Sequence, residues 1–121
     1  MPKFNYLTPM LWTTQIPETI VFYTEVLGFD CTLEEEGWAV LERDGIEVML
    51  AYPNPHVPFD APLFTGSFYF NVTGVDALWE AWKDSCTICY ELEDFEYGMR
   101  EFAIYDPNNY ILQFGQPLIS E

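Results

Sequence analysis

Trp38-Ala39-Val40-Leu41-Glu42-Arg43, then Asp44-Gly45, then Ile46-Glu47-Val48-Met49-Leu50-Ala51-Tyr52: two alternating runs about a two-residue turn spell a β-hairpin. Further on, the chain spells it again. Met99-Arg100-Glu101-Phe102-Ala103-Ile104-Tyr105 leads through Asp106-Pro107-Asn108-Asn109 into a last strand over 109–115. Asn at 108 and 109 tolerates the positive φ that such a turn demands. Working outward, each hairpin is preceded by the same elements, so residues 7–52 read as strand, helix and three strands, and residues 66–115 repeat that order. Duplicated units of this size pair their copies to bury a shared face, and the cleft between copies becomes the working site.

The helices are marked by their ends and stripes. In the first, Pro17 suits the opening position and Gly28 the C-terminal cap, with Ile16, Ile20, Tyr23 and Leu27 on one face. The second begins near Thr73, with Asp76 three residues on as a capping-box-like partner. Val75, Leu78, Trp79 and Trp82 then share a face, which assigns both tryptophans to the core. Strands are expected at 29–35 before the first hairpin and at 88–94 before the second. The stretch 53–64 holds Pro53, Pro55, Pro58 and Pro62, so it is neither helix nor central strand. It reads as a linker between modules at about 4–52 and 65–116, within one domain over 1–121. Helices mixed with short hairpins in this way indicate an α+β fold.

Composition narrows the function. Half of the 121 residues are hydrophobic and 18% aromatic, which supplies a well-filled core. Twenty acids against four bases give a formal net charge of −16. Phosphate contacts need Lys and Arg, so nucleic acid is not an expected partner, and neither is a membrane, since no apolar run is long enough to span one. A cationic ligand is favoured by the charge, although the same charge equally serves as a solvated, repulsive surface. The N-terminal segment Met1-Pro2-Lys3-Phe4-Asn5-Tyr6 lacks the regions of a signal peptide, which points to the cytoplasm. Cys86-Thr87-Ile88-Cys89 has CxxC spacing, but it falls where a helix ends and a strand begins, away from the helix N-terminus that activates redox thiols. With Cys31 the only other cysteine, no second pair completes a zinc site.

These elements resemble the vicinal oxygen chelate superfamily, which includes glyoxalases, extradiol dioxygenases and bleomycin resistance proteins. The likeness is carried by Pro9, Phe22-Tyr23, Leu27-Gly28-Phe29 and Arg43-Asp44 in the first half. In the second it is carried by Val72-Thr73-Gly74-Val75-Asp76, Arg100-Glu101-Phe102-Ala103 and Asp106-Pro107. The match covers nearly the whole chain and is nearest to the bleomycin resistance proteins. It implies two βαβββ modules forming a cupped mixed sheet, and a homodimer.

Members of the superfamily that perform chemistry hold a divalent metal on His, Glu or Gln from the first and last strands of each half. The matching positions here offer Thr8, Pro9, Gly66, Ser67 and Gln113, and a cation needs three or more strong ligands. The resemblance thus implies no metal and no cofactor. His56, the single histidine, lies in the linker. Glu101 and Asp106 are carboxylates available for acid–base work, but Asp in a tight turn serves the backbone. No catalytic set is assigned.

The bleomycin-binding relatives sandwich a flat heteroaromatic group between aromatic rings and set its cationic tail against acidic walls. Tyr69 and Tyr97 match family tryptophans, Leu33 stands where the family has Phe, and Trp38 lies close by. Phe59 and Phe64 read either as a lid or as part of a dimer seam. Glu34-Glu35-Glu36 and Glu91, Glu93, Asp94 and Glu96 occupy equivalent places in the two halves, at groove rims or at solvated strand ends. For Tyr69 and Tyr97, ligand contact and plain packing are equally open. Arg100 is expected as a buried ion-pair partner. The expectation is a small-molecule binding protein whose groove takes a planar, cationic ligand on Leu33, Trp38, Phe59, Tyr69 and Tyr97. The alternative is a lyase, isomerase or thiol transferase of the same fold with a non-standard site.

Overall fold

The structure, a computed structural model, describes residues 2–118; Met1, which opens the N-terminal segment read above, and residues 119–121 lie outside the described residues. The chain divides into two compact units that part between Pro62 and Leu63, inside the proline-rich stretch. The first unit runs β1 (Met10–Trp12), α1 (Ile16–Val21), β2 (Asp30–Glu35), β3 (Trp38–Arg43) and β4 (Ile46–Ala51). The second runs β5 (Phe68–Asn71), α2 (Val75–Trp82), β6 (Thr87–Asp94), β7 (Met99–Tyr105) and β8 (Ile111–Pro117). Their sheets have the same order, β1-β4-β3-β2 and β5-β8-β7-β6. In each, the first strand runs parallel to the last and the other pairings are antiparallel. A parallel pairing needs a crossover connection, and the helix after each first strand begins it. The fold is α+β, as the hairpins and helices predict.

In the first unit, Ile16, Ile20, Tyr23 and Leu27 are all buried, so the stripe read from the sequence is the face that α1 turns to its sheet. Its end differs from the pattern. From Phe22 the helix widens into a π-helical segment, Phe22–Val26, in which the Leu27 N–H donates to Phe22 O five residues back at 3.2 Å. Gly28 then turns at φ +77°, and the Arg43 guanidinium donates to Leu27 O at 2.5 Å, closing the carbonyl end of the helix from β3. At the hairpin, Asp44 and Gly45 take φ of +53° and +85°, the two successive positive values of the turn that matches strand twist.

In the second unit the capping box expected at Thr73 and Asp76 does not form. Gly74 is the N-cap with no side-chain cap of its own, and Gln116 Oε1 from β8 accepts the Gly74 and Val75 N–H groups at 2.7 and 2.9 Å. Asp76 is drawn away by Arg100, which donates to Asp76 at 2.7 Å and Asp94 at 2.8 Å. Arg100 is thus the expected ion-pair partner, but a half-exposed one. Of the α2 tryptophans Trp82 is buried in the core, while Trp79 is half-buried with its ring against it: Phe102, fully buried, meets Trp79 at 5.3 Å, Trp82 at 6.2 Å and Phe114 at 5.3 Å between ring centres. At the second turn only Asn109 has positive φ, and the Asp106 carboxylate accepts the N–H groups of Asn108 and Tyr110. That carboxylate cap extends the turn, so β8 starts at Ile111 instead of 109. Cys31, Cys86 and Cys89 are free thiols, and burial pushes the Cys86 thiol up, away from a reactive thiolate. Among the described residues no helix is long and apolar enough to cross a membrane.

Candidate functional site

Alternation along a strand places every second side chain on the sheet face away from the helix. In the second unit Phe102 and Phe114 point at α2, so Glu101, Ala103, Gln113 and Gly115 belong to the other face, with Tyr69 beside Gln113 on β5. β6 joins them through a register shift. Ile88 pairs with Ile104, but Tyr90 pairs with Ala103, so one residue bulges and Tyr90 lands on the Glu101 face. The first unit has the same device. Its β2 shifts between Cys31 and Leu33, and Leu33 pairs with Val40 where unbroken register would give Ala39.

Three side chains donate to the carboxylate of Glu101. The Tyr69 hydroxyl donates to Oε1 at 2.7 Å, the Tyr90 hydroxyl donates to Oε2, and Gln113 Nε2 donates to Oε2 at 3.3 Å. Tyr97 lies beside this cluster, its ring stacked on Phe95. Gln113 is itself fixed, because its Oε1 accepts from the Ser67 hydroxyl while its Nε2 also reaches the Tyr90 oxygen at 2.7 Å. Glu101 has no accessible surface. Burial pushes its carboxyl up, but the hydrogen bonds from Tyr90, Tyr69 and Gln113 outweigh that, and the net shift is down. The carboxylate is therefore ionised at neutral pH. Burial, reinforced by hydrogen bonds to Glu101, pushes the Tyr69 and Tyr90 hydroxyls up, so both stay protonated donors.

Gly115 makes this possible. It sits opposite Glu101 on β8, and a Cβ there would fall 2.6 Å from Cζ of Tyr69 and closer still to its hydroxyl. The missing side chain is the space through which the Tyr69 phenol reaches Glu101. Beyond it, Phe95 stacks on Tyr97 at 5.4 Å and meets Tyr90 edge-on at 5.6 Å. The outcome is an aromatic platform, pinned from beneath by one carboxylate. Tyr69 and Tyr97 present ring surface to solvent, with 39% and 62% of each residue exposed.

The residues expected to bind ligand fall into two groups. Leu33 and Trp38 lie on the face of the first sheet away from α1, both half-buried, with Trp12 on the same face. Phe59 packs edge-on against Trp12 at 6.0 Å. The Trp38 indole N–H is buried without an acceptor among the described residues. Tyr69 and Tyr97 belong to the second unit, where the Tyr69 hydroxyl meets Glu101 and the Tyr97 ring stacks on Phe95. Phe64 stacks on Phe68 at 4.7 Å. The acidic runs 34–36 and Glu91, Glu93, Asp94 and Glu96 are exposed, as is His56.

Sequence reasoning did not find Tyr90, Gly115 or the joining role of Glu101. One signal was present: Glu101 alternates with the charged Arg100 at the start of a strand whose remainder, Phe102-Ala103-Ile104-Tyr105, carries no charge.

The positions at which the superfamily places metal ligands do not fit a metal here. Thr8 and Pro9 precede β1, and Gly66 and Ser67 precede β5, so both opening strands are shorter than the sequence suggests. Pro9 offers only its backbone oxygen, which accepts from Met49 N, and Ser67 and Gln113 are bonded to each other. Among the described residues no three His, Cys, Asp or Glu side chains converge.

Known proteins share this fold. The profile of the Glyoxalase/Bleomycin resistance protein/Dioxygenase superfamily matches residues 3–114. A bleomycin resistance protein from Geobacillus stearothermophilus is 28% identical over 127 aligned positions, spanning 93% of this chain and 96% of the relative. The bleomycin-binding protein of Streptomyces verticillus, solved with copper(II)-bleomycin, superposes with a TM-score of 0.72 at 25% identity, covering 94% of this chain and 97% of that one. TnmS3, an antibiotic binding protein from Streptomyces sp. CB03234, superposes with a TM-score of 0.80 at 18% identity, covering 97% and 98%. The chain belongs to the glyoxalase/bleomycin resistance protein/dioxygenase superfamily.

Proposed function

We propose that this protein binds a flat, positively charged small molecule and releases it chemically unchanged, acting in the cytoplasm as a homodimer, with its two modules working as one domain. The observation that carries the reading is the platform in which Tyr69 and Tyr90 are held on Glu101 and Gln113, with Tyr97 joined to it through Phe95. It occupies the sheet face that includes Gln113, where chemistry in the superfamily would need a metal ligand. Stacking on such rings is worth about 0.5–1.5 kcal/mol per aromatic contact beyond area burial, which suits recognition of a planar group. Glu101, held ionised and supplied with three donor side chains, is a poor general base, and Asp106 is committed to its turn. The relatives that bind bleomycin or another antibiotic support the ligand class, and the net charge of −16 supports its sign. Trp38, Leu33 and Phe59 are proposed as the second aromatic and apolar wall, in a groove that a second copy completes.

Titration with bleomycin and a panel of flat cationic heteroaromatics, followed by tryptophan fluorescence, is expected to give saturable binding. An unresponsive protein across the panel refutes the reading. Light scattering at micromolar concentration is expected to return the dimer mass, and a monomer mass removes the shared groove.

A further inference from the structure

We infer that Glu101 is the residue that reads the ligand's positive charge, and that it does so through the tyrosines rather than by touching the ligand. This rests on the binding role proposed above and assigns the charge selectivity of that same site to one buried group.

Glu101 is fully buried and ionised, yet every bond it accepts comes from a neutral donor: Tyr69, Tyr90 and Gln113. Of the four basic residues, Lys3 is exposed and the other three are engaged elsewhere. Arg43 pairs with Asp44, Lys83 with Glu80, and Arg100 with Asp76 and Asp94. Among the described residues no Lys, Arg or His forms an ion pair with Glu101. Hydrogen bonds satisfy its oxygens but leave its charge uncompensated, and a buried uncompensated charge is stabilised by any cation brought near.

The tyrosines are the path. Each hydroxyl that donates to the carboxylate keeps its own oxygen lone pairs and gains electron density, which strengthens the attraction of the ring face for a cation. Tyr69 is partly open to solvent while its hydroxyl points inward to Glu101, and the more exposed Tyr97 extends the surface through its stack on Phe95, which meets Tyr90 edge-on. The carboxylate itself has no exposed surface, so a ligand meets rings and feels the charge behind them. A flat delocalised cation fits this arrangement better than a compact ammonium, which would seek direct contact with an anion.

Position also separates Glu101 from the exposed carboxylates. Surface charges are screened within about 8 Å at physiological salt, whereas a buried one keeps its field. At an effective dielectric constant near 20, a cation resting on the rings gains enough from one such charge to favour it over a neutral isostere on the order of tenfold or more.

The test uses a matched pair, N-methylquinolinium and uncharged 1-methylnaphthalene, measured by equilibrium dialysis against the wild-type protein and Glu101→Gln. The amide keeps the shape and removes the charge, and its fold is checked by circular dichroism. Expected is a loss of about tenfold or more for N-methylquinolinium, with 1-methylnaphthalene changed little. In the wild type alone, the preference for the cation is expected to persist from about 0.05 M to about 1 M NaCl. Equal losses for both probes, or a preference that salt abolishes, overturn the role of Glu101 and leave the binding function standing. If neither probe binds at any concentration, both this inference and the function beneath it fall.

Discussion

Replacing Gly115 with Ala tests the geometry of the platform at its tightest point. The backbone there does not take a positive φ, so alanine is admissible in conformation and the effect must come from its methyl group. That methyl would stand 2.6 Å from Cζ of Tyr69, and since the obstacle is the end of a side chain, the phenol swings aside and its 2.7 Å bond to Glu101 is lost. A hydrogen bond to a charged group contributes about 1.5–3 kcal/mol. Tyr69 is two-fifths exposed, so water replaces part of the bond, and the loss falls to about 1–2 kcal/mol. Against it, exchanging Gly for Ala in a compatible conformation stabilises by about 0.4–1 kcal/mol through the unfolded chain. Gly115→Ala should therefore cost about 0.5–1 kcal/mol in the native background, a fall of about half a molar in the urea midpoint. In a Tyr69→Ala background the obstacle is gone, and the same change should stabilise by about 0.4–1 kcal/mol. The four proteins form a double-mutant cycle, read by urea unfolding at one protein concentration, with a coupling of about 1.5 kcal/mol expected. A coupling indistinguishable from zero would mean that Gly115 does not make room for Tyr69.

Acidity provides a second test. The Glu101 carboxyl is held below its ordinary value, so its contribution is fully present above the unfolded carboxylate range, about pH 4.3, and is lost as pH falls through the lower folded value. Glu101→Gln should flatten the acid limb of a stability-against-pH curve below about pH 4.3, and an unchanged limb refutes the assignment. At the alkaline end the sign reverses, because the Tyr69 and Tyr90 hydroxyls are pushed up and their contribution is complete below about pH 10 and lost above it. Tyr90→Phe should weaken that alkaline loss. The helix cap gives a third: Gln116→Ala, which strips the acceptor from two N–H groups of α2, should cost about 0.5–2 kcal/mol, while Thr73→Ala should cost far less. Thermal unfolding of the pair decides, and an equal or larger loss at Thr73 would restore the capping box.

What was legible in the chain was local. Asp44-Gly45 carries its turn in its own φ values, and the stripe of Ile16, Ile20, Tyr23 and Leu27 holds even though the helix widens to a π turn beneath it. The platform was not legible, for a specific reason. Counting in twos from Ile88 puts Tyr90 opposite Phe102, on the face turned to α2; the bulge before Tyr90 moves it opposite Ala103 and onto the Glu101 face. A one-residue slip has no signature in an alternating run. The same holds at Leu33, whose partner is Val40 only because β2 bulges after Cys31. The cap of α2 failed for a related cause: Thr73 and Asp76 have the right spacing, but Arg100 and Gln116, distant in sequence, compete for the same groups and win.

Glu101 and Gly115 each look like an error when taken alone. A carboxylate drawn out of water without a cation gains no Coulomb partner, and an apolar side chain of similar size would remove that burden. A glycine within a strand gives up packing and adds freedom to the unfolded chain. Yet the two face each other on neighbouring strands, and each supplies what the other lacks: Gly115 the space that Tyr69 crosses, Glu101 the acceptor that Tyr69 crosses it to reach. Space filling would account for the ring but not for the charge, and a stabilising ion pair would account for the charge but needs a base that is absent from the cluster. A preorganised aromatic surface with an anion behind it accounts for both, and local rules broken together at one spot are the mark of a site built for binding.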